Sequence, residues 1–156
     1  MDRLARMKPK PLFVDVTWTL DAGKRSFETL VAAQVICALD VQMHLTCTGI
    51  TRDTVDDLLA EAAQANIRSV LVLRGDPAPS ANGKWEPTPD GFQNAGELVK
   101  HIRSKHGGFF SIAVAGHPHR HPQSTSRADE LKYLKAKVDA GADYIITQMY
   151  VFRCAI

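Results

Sequence analysis

Five short β-branched or aliphatic runs recur along the chain, at Leu12–Trp18, Gln42–Cys47, Ser69–Leu73, Phe110–Ala115 and Tyr144–Met149, and a helical pattern separates each from the next. The runs are nearly continuous in apolar character rather than strictly alternating. That suits strands of a parallel sheet covered on both faces.

The intervening segments carry helical periodicity. The first is expected to follow Ser26, with Phe27, Leu30, Val31, Val35 and Ala38 as its apolar stripe. The second repeats at Val55, Leu58, Leu59 and Ala62, and its Thr54-x-x-Asp57 start resembles a capping box. The third uses Phe92, Ala95, Leu98, Val99 and Ile102, then closes with Lys100, His101, Arg103, Lys105 and His106 ahead of Gly107. Cations at the negative end of the helix dipole followed by glycine mark a carboxyl terminus. The fourth opens at Ser126-x-x-Asp129, should bury Leu131, Leu134 and Val138, and stops at Gly141.

The order is thus β-α-β-α-β-α-β-α-β, with crossovers that are right-handed almost without exception. Two architectures satisfy it. One is an open, doubly wound five-stranded sheet. The other is part of an eight-stranded β/α barrel, for which ~250 residues are typical. At 156 residues, strand count alone favours the open sheet. Pro77 to Gly91, with four prolines and Trp85, reads as a surface excursion.

Composition narrows the function classes. A formal net charge of +2 leaves no electrostatic footprint for nucleic acid or an anionic membrane. The apolar runs are strand-sized, too short to span a bilayer, and MDRLARMKPKP lacks the apolar segment of a secretory signal. Cys37, Cys47 and Cys154 have no C-x-x-C spacing and read as reduced thiols of a cytoplasmic protein. The same context weakens an adhesion reading of Arg74-Gly75-Asp76.

In either architecture, active sites gather at the carboxyl ends of the strands. Those ends carry Thr17-Trp18, His44-Leu45-Thr46, Arg74-Gly75-Asp76, His117-Pro118-His119-Arg120-His121-Pro122 and Thr147-Gln148. Each offers a hydrogen-bonding group, and each also has a plain alternative. Thr17 fills a strand, His44 satisfies itself in a core, Arg74 and Asp76 form an exposed ion pair, and Gln148 serves a neighbouring backbone. The alternating His117, His119 and His121 invite a metal, but no H-E-x-x-H accompanies them. Neither a dinucleotide fingerprint nor a P-loop is present.

The strings VDVTW, MHLTCT, LRGDP, VAGHP…HP and LKYLKAKVDAGADYIITQ, in this order from about Arg3 to Tyr150, resemble methylenetetrahydrofolate reductase of the eukaryotic type. The resemblance implies a (β/α)8 TIM barrel, of which these are five consecutive β/α units, the second to sixth strands. Residues 1–150 would be part of the catalytic barrel domain and 151–156 a divergent end, with the regulatory domain absent. It also implies a flavoprotein in which NADH or NADPH reduces FAD, and the flavin then reduces 5,10-methylenetetrahydrofolate to 5-methyltetrahydrofolate.

Carried over by motif, Thr17, Trp18, His44, Arg74, Gly75 and Asp76 would hold the flavin, and Lys137 its diphosphate. Asp76 and Gln148 would meet the folate. His121 of the His-Pro motif and Ala95 fall on further flavin positions. At three others this chain departs from the family: His117 and Asn94 stand where aromatics are usual, and Glu130 where aspartate is. The family's general acid, a glutamate in an E-F-F-P-P context, has no counterpart here and would lie upstream. A cytoplasmic homo-oligomer is implied for the full-length family. An incomplete barrel would expose its edges, predicting poor solubility or association. The alternatives are a non-catalytic flavin-binding or subunit-interacting fragment, and a small open α/β protein that binds an anion.

Overall fold

Residues that alternate in side-chain direction along a strand can serve two different surfaces, and this chain uses them so. The computed structural model describes residues 2–17, 23–77, 83–121 and 123–149. The elements run α1 (Asp2–Ala5), β1 (Val14–Val16), α2 (Gly23–Val35), β2 (Val41–Thr46), α3 (Arg52–Gln64), β3 (Ser69–Leu73), α4 (Ala95–His106), β4 (Ser111–Gly116), α5 (Arg127–Asp139) and β5 (Tyr144–Thr147).

The strands form one parallel sheet in the order β1-β2-β3-β4-β5. Pairings such as Val14↔Val41, Met43↔Val70, Val70↔Ile112 and Val114↔Ile145 fix the register. This order decides between the two architectures. A doubly wound sheet reverses direction at a switch point, which sends helices to both faces. Here every unit adds its strand on the same side, so right-handed crossovers leave all the helices on one face. The sheet curls into a half-barrel, consistent with part of a (β/α)8 barrel. Strand count alone pointed to the open sheet, and the winding corrects it.

The helix-facing set of strand residues is Val41, Met43, Leu45, Val70, Val72, Ile112 and Val114. They bury against Leu30, Ala33, Val55, Leu59, Ala62, Leu98, Val99 and Ile102. The opposite set is more polar than the continuous apolar reading implied. Gln42 is fully buried, donates to Ser69 Oγ at 2.9 Å and also reaches the Tyr144 hydroxyl.

The helix ends follow their chemistry, with two shifts from the sequence reading. α2 starts at Gly23, so Ser26 lies inside it, where its hydroxyl donates to the Thr17 carbonyl at 3.1 Å. The cap of α3 is Thr51, which accepts from the Thr54 amide at 3.3 Å; Thr54 is already helical. α4 is capped by Asn94 and closed by Gly107 at φ 55. Ser126 caps α5 in reciprocal bonds with Asp129.

The expected stripe on α5 is not buried. Leu131 is 60% and Val138 42% exposed, while Leu134 is partly covered. Among the described residues β5 is the last strand of the sheet, and α5 has a helical neighbour only on the α4 side. Ala38 lies outside α2 at φ 48, and Val35 is exposed. At the amino end of the strands, Arg103 donates to the carbonyls of Gly141 and Phe110 and to Asp143, which accepts the Ile112 amide at 2.7 Å. Among the described residues, no helix is long and apolar enough to cross a membrane.

Candidate functional site

Parallel strands end together, so whatever follows each one is gathered at one rim. After β2, the Cys47 amide bonds the carbonyls of Leu73 and Arg74, joining the chain to the end of β3. Thr48 Oγ1 lies 2.8 Å from the Asp76 carbonyl and 3.2 Å from that of Arg74. The turn between them needs glycine. Gly75 sits at φ +86, and a Cβ there would stand 2.7 Å from Thr48 Oγ1.

Arg74 is held rather than free. Its guanidinium lies 5.2 Å from the Trp85 ring centroid, and Nη2 donates to Gln123 Oε1 at 2.7 Å. Trp85 Nε1 in turn donates to Thr48 Oγ1 at 2.9 Å. Asp76 is exposed.

The far side of the rim is built by the loop after β4 and the half-buried face of α5. His117 and His121 meet edge to face at 4.8 Å and 86°. Glu130 serves both: Oε1 lies 3.3 Å from His117 Nδ1, and Oε2 accepts the His121 amide at 3.3 Å. His121 Nδ1 accepts from the Gln123 amide at 3.1 Å, so in the neutral ring Nε2 carries the hydrogen. Burial and the neighbouring His117 hold the His121 pKa below its usual value. Lys137 donates to the Ala115 carbonyl, and burial lowers its pKa. A concavity of ≈ 280 Å³ lies here, lined by His117, His119, Arg120, His121 and Gln148 among others. The Gln148 amide bonds the Gly116 carbonyl at 2.9 Å.

On the near side, His44 Nε2 is buried and faces Asp15 Oδ1 at 3.4 Å. Thr17 is exposed beyond it.

Of the residues read from sequence, Thr17, His44, Arg74, Gly75, Asp76, His117, His121, Glu130, Lys137 and Gln148 come from the carboxyl-end rim or the α5 face beside it. Trp18 lies outside the described residues. Asn94 spends its carboxamide oxygen on the Glu97 amide at 3.1 Å, as a helix cap. Ala95 is nearly buried in the core. The rim is nonetheless close, since a Cβ on Gly96 would come within 4.0 Å of the Lys137 side chain. Sequence reasoning missed Asp15, Thr48, Trp85 and Gln123. Asp15 alone left a signal, a carboxylate in the middle of an apolar run.

A larger concavity of ≈ 590 Å³ opens at the other end of the strands, beside Arg68, Arg103, Phe109 and Asp143. Its charged groups Arg103 and Asp143 are committed to backbone and to each other. Arg68 donates its Nε to Asn66 Oδ1 at 2.9 Å and lies over the Phe109 ring.

A family model described as Methylenetetrahydrofolate reductase matches residues 1–153. The chain is 42% identical to Methylenetetrahydrofolate reductase 2 of Saccharomyces cerevisiae, over 96% of this chain and 26% of that protein. It is 41% identical to the probable methylenetetrahydrofolate reductase (NADH) of Oryza sativa subsp. japonica, over 96% and 27%. With the probable methylenetetrahydrofolate reductase (NADPH) of Caenorhabditis elegans it shares 36% identity, over 89% and 21%. The chain spans about a quarter of the length of the first curated relatives it matches.

Proposed function

The chain belongs to the methylenetetrahydrofolate reductase family, and on that premise we propose that its rim holds FAD for the reduction of 5,10-methylenetetrahydrofolate to 5-methyltetrahydrofolate by NADH or NADPH. The observation that carries this reading is Lys137. It is a half-buried ammonium that commits one hydrogen to Ala115 O and has two more to offer beside the His117–His121 concavity.

The donor set fits a flavin dinucleotide. A half-buried cation with two imidazoles suits a diphosphate, and the left-handed Gly75 lets backbone approach a planar ring. Thr17, Trp18, His44, Arg74, Gly75 and Asp76 are the proposed contacts to the ring and its chain. His117, His121, Glu130 and Lys137, with Asn94 and Ala95 at the start of α4, are those on the diphosphate side. Hydride storage between the nicotinamide and folate half-reactions is the chemistry that FAD supplies when bound.

The protein's share is binding and orientation. Thr48 holds the Asp76 carbonyl, which keeps the following carboxylate at the rim, where it would orient the folate together with Gln148. Arg74, pinned by Trp85 and Gln123, adds fixed positive charge beside the ring site. Glu130 faces the His117 ring with one oxygen and holds the His121 backbone with the other. The reading extends to a cytoplasmic homo-oligomer, with residues 1–150 as part of its catalytic barrel.

The test is titration of the purified chain with FAD, followed by visible absorbance and flavin fluorescence. Saturable binding that Lys137→Met weakens supports the reading; no binding by a folded chain overturns it. A second reading, a non-catalytic flavin-binding or subunit-interacting fragment, has one observation behind it. Among the described residues β1 and β5 each pair on one side only, with Leu12, Ile145 and Met149 exposed nearby. Flavin binding without folate reduction would favour it.

A further inference from the structure

Asp15 is out of place as a strand residue. It occupies the middle of the three-residue β1, where aspartate is disfavoured and its neighbours are valines. Its pairing with Gln42 sets it on the half-barrel's inner face, the face that His44 shares two residues further along β2. Asp15 keeps partial exposure there, and what it faces is a buried imidazole nitrogen.

We propose that Asp15 is a positioning residue that fixes the tautomer and ring orientation of His44. The argument is one of donors and acceptors. His44 Nε2 is buried, has no hydrogen-bond partner, and faces Asp15 Oδ1 at 3.4 Å. An ionised carboxylate accepts only, so the nitrogen that faces it carries the hydrogen. Nδ1 is then the nitrogen with a lone pair, and His44 acts on a ligand as an acceptor from a ligand N–H or O–H. The 3.4 Å separation is longer than a formed hydrogen bond, as is common before a ligand tightens a site. Side-chain exposures of 16% for His44 and 40% for Asp15 leave the pair reachable from the barrel mouth.

The ligand's identity as FAD rests on the proposed function, whereas the tautomer does not. The experiment therefore reads both on the full chain. Long-range proton–nitrogen NMR of the His44 ring, without flavin, should find Nε2 protonated and Nδ1 bare in the wild type. In Asp15→Ala the ring nitrogens should move toward the averaged shifts of an unrestrained imidazole, and Asp15→Glu should restore them. FAD titrated into the same samples should bind about tenfold more weakly to Asp15→Ala, with recovery in Asp15→Glu. Asp15→Val, which suits the strand and removes the acceptor, serves if the alanine variant does not fold.

A bare Nε2 in the wild type overturns the proposal. So does an alanine or valine variant that melts earlier yet keeps the wild-type nitrogen shifts, since that is a structural role alone. If the tautomer behaves as described and FAD binds to none of the samples, the positioning stands and the flavin reading falls.

Discussion

Trp85 Nε1 donates to Thr48 Oγ1 at 2.9 Å, and Thr48 Oγ1 lies 2.8 Å from the carbonyl of Asp76. One hydroxyl therefore latches the proline-rich loop onto the turn that presents Arg74, Gly75 and Asp76. The indole also faces the Arg74 guanidinium, whose other side is tied to Gln123. Two loops far apart in sequence thus hold one arginine.

Removing the indole N–H while keeping a ring isolates the latch. Trp85→Phe should cost about 1 kcal/mol of stability, the typical net worth of one such hydrogen bond. FAD affinity should fall with it, because Arg74 loses a fixed neighbour. Urea denaturation and flavin titration on the same variant read the two effects. Unchanged values in both would mean the latch is incidental.

Gly75 and Gly83 provide a matched pair. Both have positive φ, +86 and +76, but only at Gly75 does a Cβ meet anything, Thr48 Oγ1 at 2.7 Å and Thr46 Cβ at 3.0 Å. Gly83→Ala should cost about 1 kcal/mol, the left-handed penalty alone. Gly75→Ala should exceed it, at about 2–3 kcal/mol, and should also displace the Asp76 carboxylate. Equal losses in thermal unfolding would show that the turn yields where the geometry says it cannot.

What the sequence made legible follows from which forces are local. Phe92, Ala95, Leu98, Val99 and Ile102 were read as one buried face and are one, because α4 packs on β3 and α5 and is tied to α3 through Asp56 and His101. Leu131 and Val138 on α5 were read as a buried stripe in the same way, on a much weaker apolar face, and they are exposed. Period reports which face of a helix is apolar and says nothing of whether a neighbour covers it. The winding of the sheet is likewise non-local, since the same β-α order fits one-way or two-way winding. The site divides in the same manner. His44, Arg74 and Lys137 were visible as chemistry at strand ends or through motif. Asp15 and Trp85 matter only through partners that the fold brings to them, and no spacing in the chain announces those.

Asp56, on α3, ties that helix to α4. Its carboxylate is 2.6 Å from His101 Nε2 and 3.2 Å from Lys105 Nζ. Desolvation pushes its pKa up, but the hydrogen bonds from His101 and Lys105 outweigh this and hold it below 3.8. A carboxyl depressed in the fold contributes stability that is present above its unfolded value and lost as pH falls through the folded one. Asp56→Asn should therefore be less stable than wild type at pH 6, with the gap closing below about pH 3.8. Denaturation midpoints across that range check it, and a gap independent of pH would assign Asp56 a packing role only.

Lys137 gives the prediction closest to function. Burial lowers its pKa from 10.5, partly opposed by Glu130, so it sheds its proton at a lower pH than an ordinary lysine. A diphosphate is attracted to the ammonium form and much less to the neutral amine. FAD affinity should therefore decline as pH rises through this lowered value, before 10.5 is reached. Lys137→Met, which keeps the stem and removes the charge, should bind FAD about 10- to 100-fold more weakly at neutral pH, the worth of a charge-assisted hydrogen bond. It should also lose the alkaline decline. Lys137→Arg keeps the charge but cannot titrate in this range, so it should bind without that decline. An alkaline decline that persists in the arginine variant would move the titrating group elsewhere on the rim, and with it the diphosphate.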